Sequence, residues 1–213
     1  MTKVYCISGM GCDHRAFKRL SVDGYEFVPL SWVSYDDTDT LESYAGKMAV
    51  NIKESNPIIL GLSFGGMLAV EIGKLIDVRH IILISSAKTK DELPEPGRLA
   101  RYIVKKRLIP PFCFSIPNRL LMGLRGIVPL TERMSEFNAV SGRFMQWALK
   151  VVMEWQNTTY PENISHIHGT LDIVIPGRNV KATHTVKGGQ HLMVFINAEK
   201  VNKILAGILE NIK

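Results

Sequence analysis

The chain has 213 residues, of which 46% are hydrophobic and 22% are charged, and it carries a formal net charge of +6. This length suits a single domain that buries about 70% of its unfolded surface, and the composition excludes a disordered chain. The sequence has no apolar run of the roughly 18 residues that a membrane-spanning helix needs, and its first strand follows Met1 without a signal peptide. We therefore expect one cytoplasmic domain with no membrane partner.

The cysteines and histidines do not predict a metal centre. Cys6, Cys12 and Cys113 are an odd number of cysteines without the spacing of zinc ligands, so we expect reduced thiols. His166 and His168 form a His-x-His pair, but no carboxylate or third histidine is spaced to complete a site. We expect neither a metal nor a cofactor.

Short β-rich runs alternate with helical patterns along the chain. The runs cover residues 4–8, 25–30, 57–62, 80–85, 164–168 and 182–187. Residues 80–85 are nearly all apolar, which is typical of a strand buried on both faces of a parallel sheet. The alternation predicts an α/β fold with a mostly parallel sheet of about six strands, flanked by helices.

The apolar spacing also predicts where helices begin. It favours helices from Ala16, from Thr40, over residues 67–76, and after Asn197. The candidate N-caps are Thr38, Asp39 or Thr40 for the second helix and Asn197 for the last.

The segment from about residue 88 to 155 differs from the rest of the chain. It contains six of the ten prolines, which interrupt any long regular element. Apolar residues between these breaks predict several short helices with an apolar underside. We interpret the segment as an insertion into the single domain.

A serine lies at the junction of a predicted strand and a predicted helix, in the pattern Gly61-x-Ser63-x-Gly65. Glycines on both sides permit the tight, strained turn that holds such a hydroxyl out of the sheet. The Phe64 N–H then starts a helix, where unpaired amides favour an oxyanion. A turn without chemistry is the alternative, and the flanking strand and helix argue against it. Ser85 and Ser86 are rival hydroxyls that lack this turn.

Two further loops supply the groups that a serine nucleophile needs. His191 follows the last predicted strand in a glycine-flanked loop, and Asp172 follows the strand before it. Loops after parallel strands emerge at the same edge of the sheet, so both side chains should meet Ser63 there. In the glycine loop after the first strand, the Met10 N–H is the candidate second oxyanion donor; an ordinary turn is the alternative. His14, His80 and His184 are expected to be structural or surface residues.

The chain resembles the α/β-hydrolase superfamily in motifs spread along its whole length. These are Ser8-Gly-Met-Gly, Gly-Leu-Ser63-Phe-Gly-Gly, His168-Gly-Thr-Leu-Asp172 and Gly-Gly-Gln-His191. The order of nucleophile, acid and base is also the order of that fold. The chain departs from the pattern at Ser8, where many members carry histidine, and it begins at what would be the third strand of the family.

The resemblance implies a role for each motif. Ser63 would be the nucleophile, Asp172 the orienting acid and His191 the base. The backbone amides of Met10 and Phe64 would form the oxyanion hole, and the insertion at about 88–155 would be a helical cap.

These residues predict a serine hydrolase that acts on a carboxylic ester or thioester through an acyl-enzyme. Two alternatives stay open: a lyase or perhydrolase that uses the same triad, and a ligand-binding protein that keeps the pocket without useful turnover.

Residues 88–125 hold nine Lys and Arg and three Asp and Glu, and this excess of positive charge equals the net charge of the whole chain. Because this segment contains no nucleic-acid-binding motif, we interpret it as a solvated basic surface and expect no nucleic-acid partner. If it faces the pocket, it would steer a carrier-bound or anionic acyl substrate; its centre is Arg98, Arg101, Lys105, Lys106 and Arg107.

Overall fold

A computed structural model of the chain describes residues 1–95, 104 and 140–212. In this part of the chain, six parallel strands form one sheet in the order β2-β1-β3-β4-β5-β6. The predicted α/β fold with a six-stranded sheet is therefore confirmed. The strands are β1 (Thr2–Ile7), β2 (Tyr25–Pro29), β3 (Ile58–Leu62), β4 (His80–Ile84), β5 (Ile164–Gly169) and β6 (His184–Val186).

Helices cover both faces of the sheet. They are α1 (Leu41–Ala49), α2 (Phe64–Leu75), α3 (Gly142–Glu154), α4 (Met193–Ile196) and α5 (Ala198–Asn211). Helices α1, α2 and α3 share one hydrophobic core with Ile59 and Leu83, whereas α4 and α5 share the other with Leu60 and Ile82. Successive strand residues thus point to opposite layers, which explains why β3 and β4 are apolar without alternation.

Helix α1 begins as the sequence predicts. The Thr40 Oγ1 accepts from the Ser43 N–H at 3.2 Å, and the Ser43 Oγ accepts from the Thr40 N–H at 3.1 Å. This reciprocal capping box satisfies two amides that the first turn leaves without partners. Asp39, another candidate cap, instead accepts hydrogen bonds from Ser43 Oγ and Lys47 Nζ.

One helix prediction and one capping prediction are wrong, although the helix predicted after Asn197 is present. The helix expected from Ala16 is only a single 3-10 turn at His14–Phe17. Ala16, Phe17 and Leu20 are all buried against the sheet, and this burial imitates helical spacing. Asn197 precedes α5, but its side chain makes no capping hydrogen bond. Its backbone (φ −119°, ψ 32°) lies outside the extended region from which a cap reaches the first amides.

Helix α3 falls inside the predicted insertion but packs as part of the sheet's helical layer. Phe144, Trp147 and Val151 are buried in the core shared with α1 and α2. Trp155, directly after α3, donates from Nε1 to Glu71 Oε1 at 2.8 Å. Residues 96–103 and 105–139 lie outside the described residues. They include Cys113 and the centre of the basic segment, Arg98, Arg101, Lys105, Lys106 and Arg107. The cap therefore stays a prediction. Among the described residues, no helix has both the length and the apolar character to cross a bilayer.

Candidate active site

Ser63 occupies a sharp turn between β3 and α2. Its φ of 52° and ψ of −118° lie outside the regions that non-glycine residues usually adopt. The surrounding glycines are required by space: a Cβ at Gly61 would collide with Gly65 and Gly66, and a Cβ at Gly65 would collide with the Ile7 carbonyl. The Ser63 N–H donates to the Ile84 carbonyl at 2.9 Å, which ties the turn to the neighbouring strand.

The rival hydroxyls lie beneath this turn. Ser86 Oγ donates to the Ser63 carbonyl at 2.6 Å, so this hydroxyl supports the backbone of Ser63. A Cβ at Gly66 would collide with Ser86 Oγ, which shows how closely the two segments approach. Ser85 is fully buried.

The structure brings Ser63, His191 and Asp172 together in one chain of hydrogen bonds. Ser63 Oγ lies 2.9 Å from His191 Nε2, and His191 Nδ1 lies 2.8 Å from Asp172 Oδ2. The Asp172 side chain is fully buried, and its Oδ1 accepts the N–H groups of Val174 and Ile175, each at 2.9 Å. This is the geometry that a serine, its base and an orienting acid require.

The electrostatics keep Asp172 ionised. Burial alone would raise the pKa of its carboxyl, but the hydrogen bond and charge of His191 and the Ile175 N–H outweigh this effect and lower the pKa. A carboxylate at this position holds the Nδ1 proton of His191, so Nε2 is left to accept a proton from Ser63.

Backbone contacts fix the two loops that carry His191 and Asp172. The Leu171 N–H donates to the Gly189 carbonyl at 2.8 Å, and the Gly188 N–H donates to Thr170 Oγ1 at 2.9 Å. A Cβ at Gly169 would collide with the Gly189 backbone, so glycine permits this close approach. The loops that carry His191 and Asp172 are thus held as one unit.

The candidate oxyanion donors both line the cavity next to Ser63. Phe64 is the first residue of α2, so its N–H has no carbonyl four residues earlier in the helix. In the loop that carries Met10, a Cβ added to Gly9 would lie 3.4 Å from the Ser63 Cβ. Ser8 Oγ and Trp32 Nε1 brace this loop, because both donate to the Cys12 carbonyl, at 3.0 and 2.9 Å. The role of these amides stays a prediction.

Two buried histidines lie next to Asp172, and neither was predicted from the sequence to contact it. His168 Nε2 donates to the Ile175 carbonyl at 2.9 Å and lies 3.5 Å from Asp172 Oδ2. His166 Nε2 lies 3.3 Å from His168 Nδ1. Burial, followed by the charges of His168 and Lys88, lowers the pKa of His166 to about 3. In the sequence, only the short spacing between His168 and Asp172 could have indicated this contact. Among the described residues, no group of three or more His, Cys, Asp or Glu side chains could hold a metal.

The remaining histidines lie in other surroundings. His80 Nε2 lies 2.8 Å from Ser165 Oγ, and His184 Nδ1 lies 2.9 Å from Thr183 Oγ1. His14 is exposed, with 67% of its side chain accessible.

Comparisons with known proteins give matches in structure alone. No family model matches the sequence, and no curated protein matches it. A lipase-esterase related protein from Clostridium acetobutylicum has a TM-score of 0.69 and 18% identity, over 97% of this chain and 94% of that chain. An enol-lactonase from Burkholderia xenovorans has a TM-score of 0.70 and 13% identity, over 98% and 91%.

A thioesterase of prodiginine biosynthesis from Streptomyces coelicolor has a TM-score of 0.64 and 16% identity, over 97% of this chain and 90% of that chain. These similarities extend over nearly the full length of each protein, and they agree with the parallel sheet flanked by helices. The chain therefore has the α/β-hydrolase fold.

Proposed function

We propose that this protein is a serine hydrolase that cleaves a carboxylic ester or thioester through an acyl-enzyme. The observation that carries the proposal is the unbroken series of hydrogen bonds from Ser63 Oγ through His191 to Asp172. Structural neighbours described as an esterase-related protein and a thioesterase support the same reaction class.

The first half of the reaction forms the acyl-enzyme. His191 Nε2 takes the proton of Ser63 Oγ as this oxygen attacks the carbonyl carbon of the substrate. The negative charge that develops on the carbonyl oxygen is stabilised by the backbone N–H groups of Met10 and Phe64. His191 then gives its proton to the departing alcohol or thiol, and the acyl group stays on Ser63.

The second half releases the acid. A water molecule gives a proton to His191 Nε2 and attacks the acyl carbon, and the proton then returns to Ser63 Oγ as the carboxylic acid leaves. Asp172 keeps its negative charge throughout and stabilises the imidazolium that forms in each half. The lyase and perhydrolase alternatives use the same residues without water as the final acceptor, whereas a binding protein keeps the same pocket without useful turnover.

The test combines covalent labelling with turnover. We expect a fluorophosphonate probe to label Ser63 and the wild-type protein to hydrolyse a short p-nitrophenyl ester. The Ser63→Ala and His191→Ala variants should each lose roughly 10⁴-fold or more in kcat, because members of a triad act as a unit.

The matched control is Ser55→Ala, since Ser55 is an exposed serine outside the cavity lining. It should keep wild-type labelling and turnover. Activity within tenfold of wild type in Ser63→Ala would remove the assignment of the nucleophile. Labelling without any ester or thioester turnover would favour a binding protein instead.

The expected preference for an anionic or carrier-bound acyl substrate stays a prediction. It depends on Arg98, Arg101 and Lys105, which lie outside the described residues. The described charged residues that line the cavity, besides Asp172 and His191, are Lys90, Asp91 and Glu95, and they do not form a positive surface.

A further inference from the structure

The cavity beside Ser63 is larger than a short acyl group needs. Its volume is about 1420 Å³. Cavities that hold small organic ligands usually measure about 300–1000 Å³. The space therefore accommodates a substrate with a sizeable group on at least one side of the scissile bond.

One wall of the cavity consists of apolar side chains of α3 beside the face that the core buries. That face includes Phe144, Trp147 and Val151. Leu149, Val152 and Met153 are only half-buried and line the cavity. Their i, i+3, i+4 spacing places them on one side of the helix. Val152 also packs against the core, whereas Leu149 and Met153 extend the apolar surface of α3 into the cavity, where contact with an apolar ligand is favourable.

A second wall of the cavity is the loop around Asp172. Leu171, Ile173 and Val174 line the same cavity and are 58%, 66% and 52% exposed. The Asp172 side chain between them is fully buried. This loop therefore turns its one carboxylate inward to His191 and leaves its apolar side chains uncovered beside the nucleophile.

We propose that these two walls bind an extended apolar acyl chain, so that the substrates are esters or thioesters of medium-chain aliphatic acids. The acyl groove is defined by Leu149, Val152, Met153, Leu171, Ile173 and Val174. None of these residues is charged, and they share one cavity with Ser63 and His191. Such walls offer no charged partner to water or to a polar chain, whereas an aliphatic chain that packs against them removes apolar surface from water.

The acyl side of the substrate fits this groove better than the alcohol side. The acyl group stays bonded to Ser63 after the first half of the reaction, so groove contacts act on both halves. The alcohol or thiol leaves after the first half, and tight apolar binding would slow its release. The inference rests on the proposed function for its ester chemistry, but the groove itself is testable without turnover.

The first experiment measures kcat/KM for p-nitrophenyl esters from acetate to octanoate. We expect an increase of up to about fourfold per added methylene, which is the rate equivalent of burying one such group. The variant Met153→Asn/Ile173→Asn places one amide in each wall. It should reduce the ratio of kcat/KM for octanoate over acetate by tenfold or more.

Val50→Asn is the matched control, because Val50 is an equally exposed apolar residue, 69% accessible, at the end of α1 and outside the cavity lining. It should keep the wild-type dependence on chain length. A second series, with ethyl octanoate against octyl acetate, should favour the long acyl chain. Equal rates with every acyl length, or a preference confined to the alcohol chain, would overturn the acyl groove.

Binding to Ser63→Ala separates the groove from catalysis. Calorimetric titration with methyl octanoate should give at least tenfold tighter binding than methyl butyrate, and Met153→Asn/Ile173→Asn on the Ser63→Ala background should abolish the difference. If wild type turns over no ester while this chain-length preference in binding persists, the proposed function fails and the groove stands. If esters are turned over but binding ignores chain length, the groove fails alone.

Discussion

Ser63 illustrates at the scale of one residue how local strain is maintained by the surrounding fold. Its positive φ costs on the order of 1–3 kcal/mol and persists only where neighbouring contacts fix it. The Ile84 carbonyl receives its N–H, and Ser86 Oγ donates to its carbonyl. The strain aims the hydroxyl at His191 instead of at the sheet.

The same glycine-to-alanine substitution should have opposite effects on stability at Gly65, in this turn, and at Gly207, in α5. Gly65→Ala places a methyl group against the Ile7 and Ser8 carbonyls, which are backbone atoms of a buried strand end and cannot easily move. We expect the free energy of unfolding to fall by about 1–3 kcal/mol or more, measured by urea denaturation. Loss of fluorophosphonate labelling should accompany it.

The control is Gly207→Ala in α5, where an added Cβ meets nothing within 4 Å. The same substitution in this open helical position should stabilise the protein by about 0.5–1 kcal/mol. If Gly65→Ala were as stable as wild type, the close approach of α2 to β1 would be wrong.

Asp172 allows a second prediction at the residue scale. Asp172→Asn should keep the fold but lower kcat/KM roughly 10⁴-fold, because an amide favours the imidazole tautomer with its proton on the wrong nitrogen. The measurement is ester turnover, with circular dichroism as the check of folding. A mild effect would show that another carboxylate orients His191. Glu154 would be tested next for that role; it lies on α3 with its carboxylate 3.9 Å from Lys150 Nζ.

Among the elements, local signals were sufficient for the strands and for the turn at Ser63. Apolar runs without alternation identified β3 and β4 because both faces of those strands are covered. The start of α1 was predicted because the Thr40 cap is encoded within four residues. Strand order and the motifs around Asp172 and His191 both predicted that these side chains meet Ser63, since parallel strands deliver their loops to one edge of the sheet.

Elements that depend on distant contacts were beyond the sequence. Trp147 Nε1 donates to the Asp39 carbonyl at 3.3 Å, across 108 positions of sequence, and this contact helps to bind α3 to the start of α1. Likewise, Lys88 Nζ donates to the Lys181 carbonyl at 2.6 Å, which anchors the first residue of the predicted insertion. Apolar spacing in 142–155 could not distinguish a helix of the core layer from a cap helix, because both have an apolar face.

In the whole molecule, burial on both faces of the sheet encloses imidazoles as well as apolar side chains. His166 is fully buried, and His80 is half-buried at the start of β4. Burial lowers the pKa of both histidines, and the pKa of His166 falls to about 3. The folded protein therefore holds His166 neutral at pH values where the unfolded chain would protonate it.

This difference predicts a dependence of stability on pH. An unfolded histidine has a pKa of about 6.5, so below this pH the unfolded state binds more protons than the folded state, and stability falls as pH falls. The loss from His166 begins near the unfolded value and continues towards the folded value of about 3. Between pH 7 and pH 5, this single group should lower the free energy of unfolding by about 2 kcal/mol.

Urea denaturation of wild type and His166→Gln at pH 7 and pH 5 measures the effect. The variant is expected to be less stable at pH 7, because it loses a buried ring, so the informative quantity is the change between the two pH values. Wild type should lose about 2 kcal/mol more than the variant on acidification. His80 adds a loss of the same sign that both proteins share. The control is His14→Gln, at an exposed site, which should lose as much stability as wild type between the two pH values. An equal loss in wild type and His166→Gln would mean that the folded protein accepts a proton at His166 as readily as the unfolded chain does.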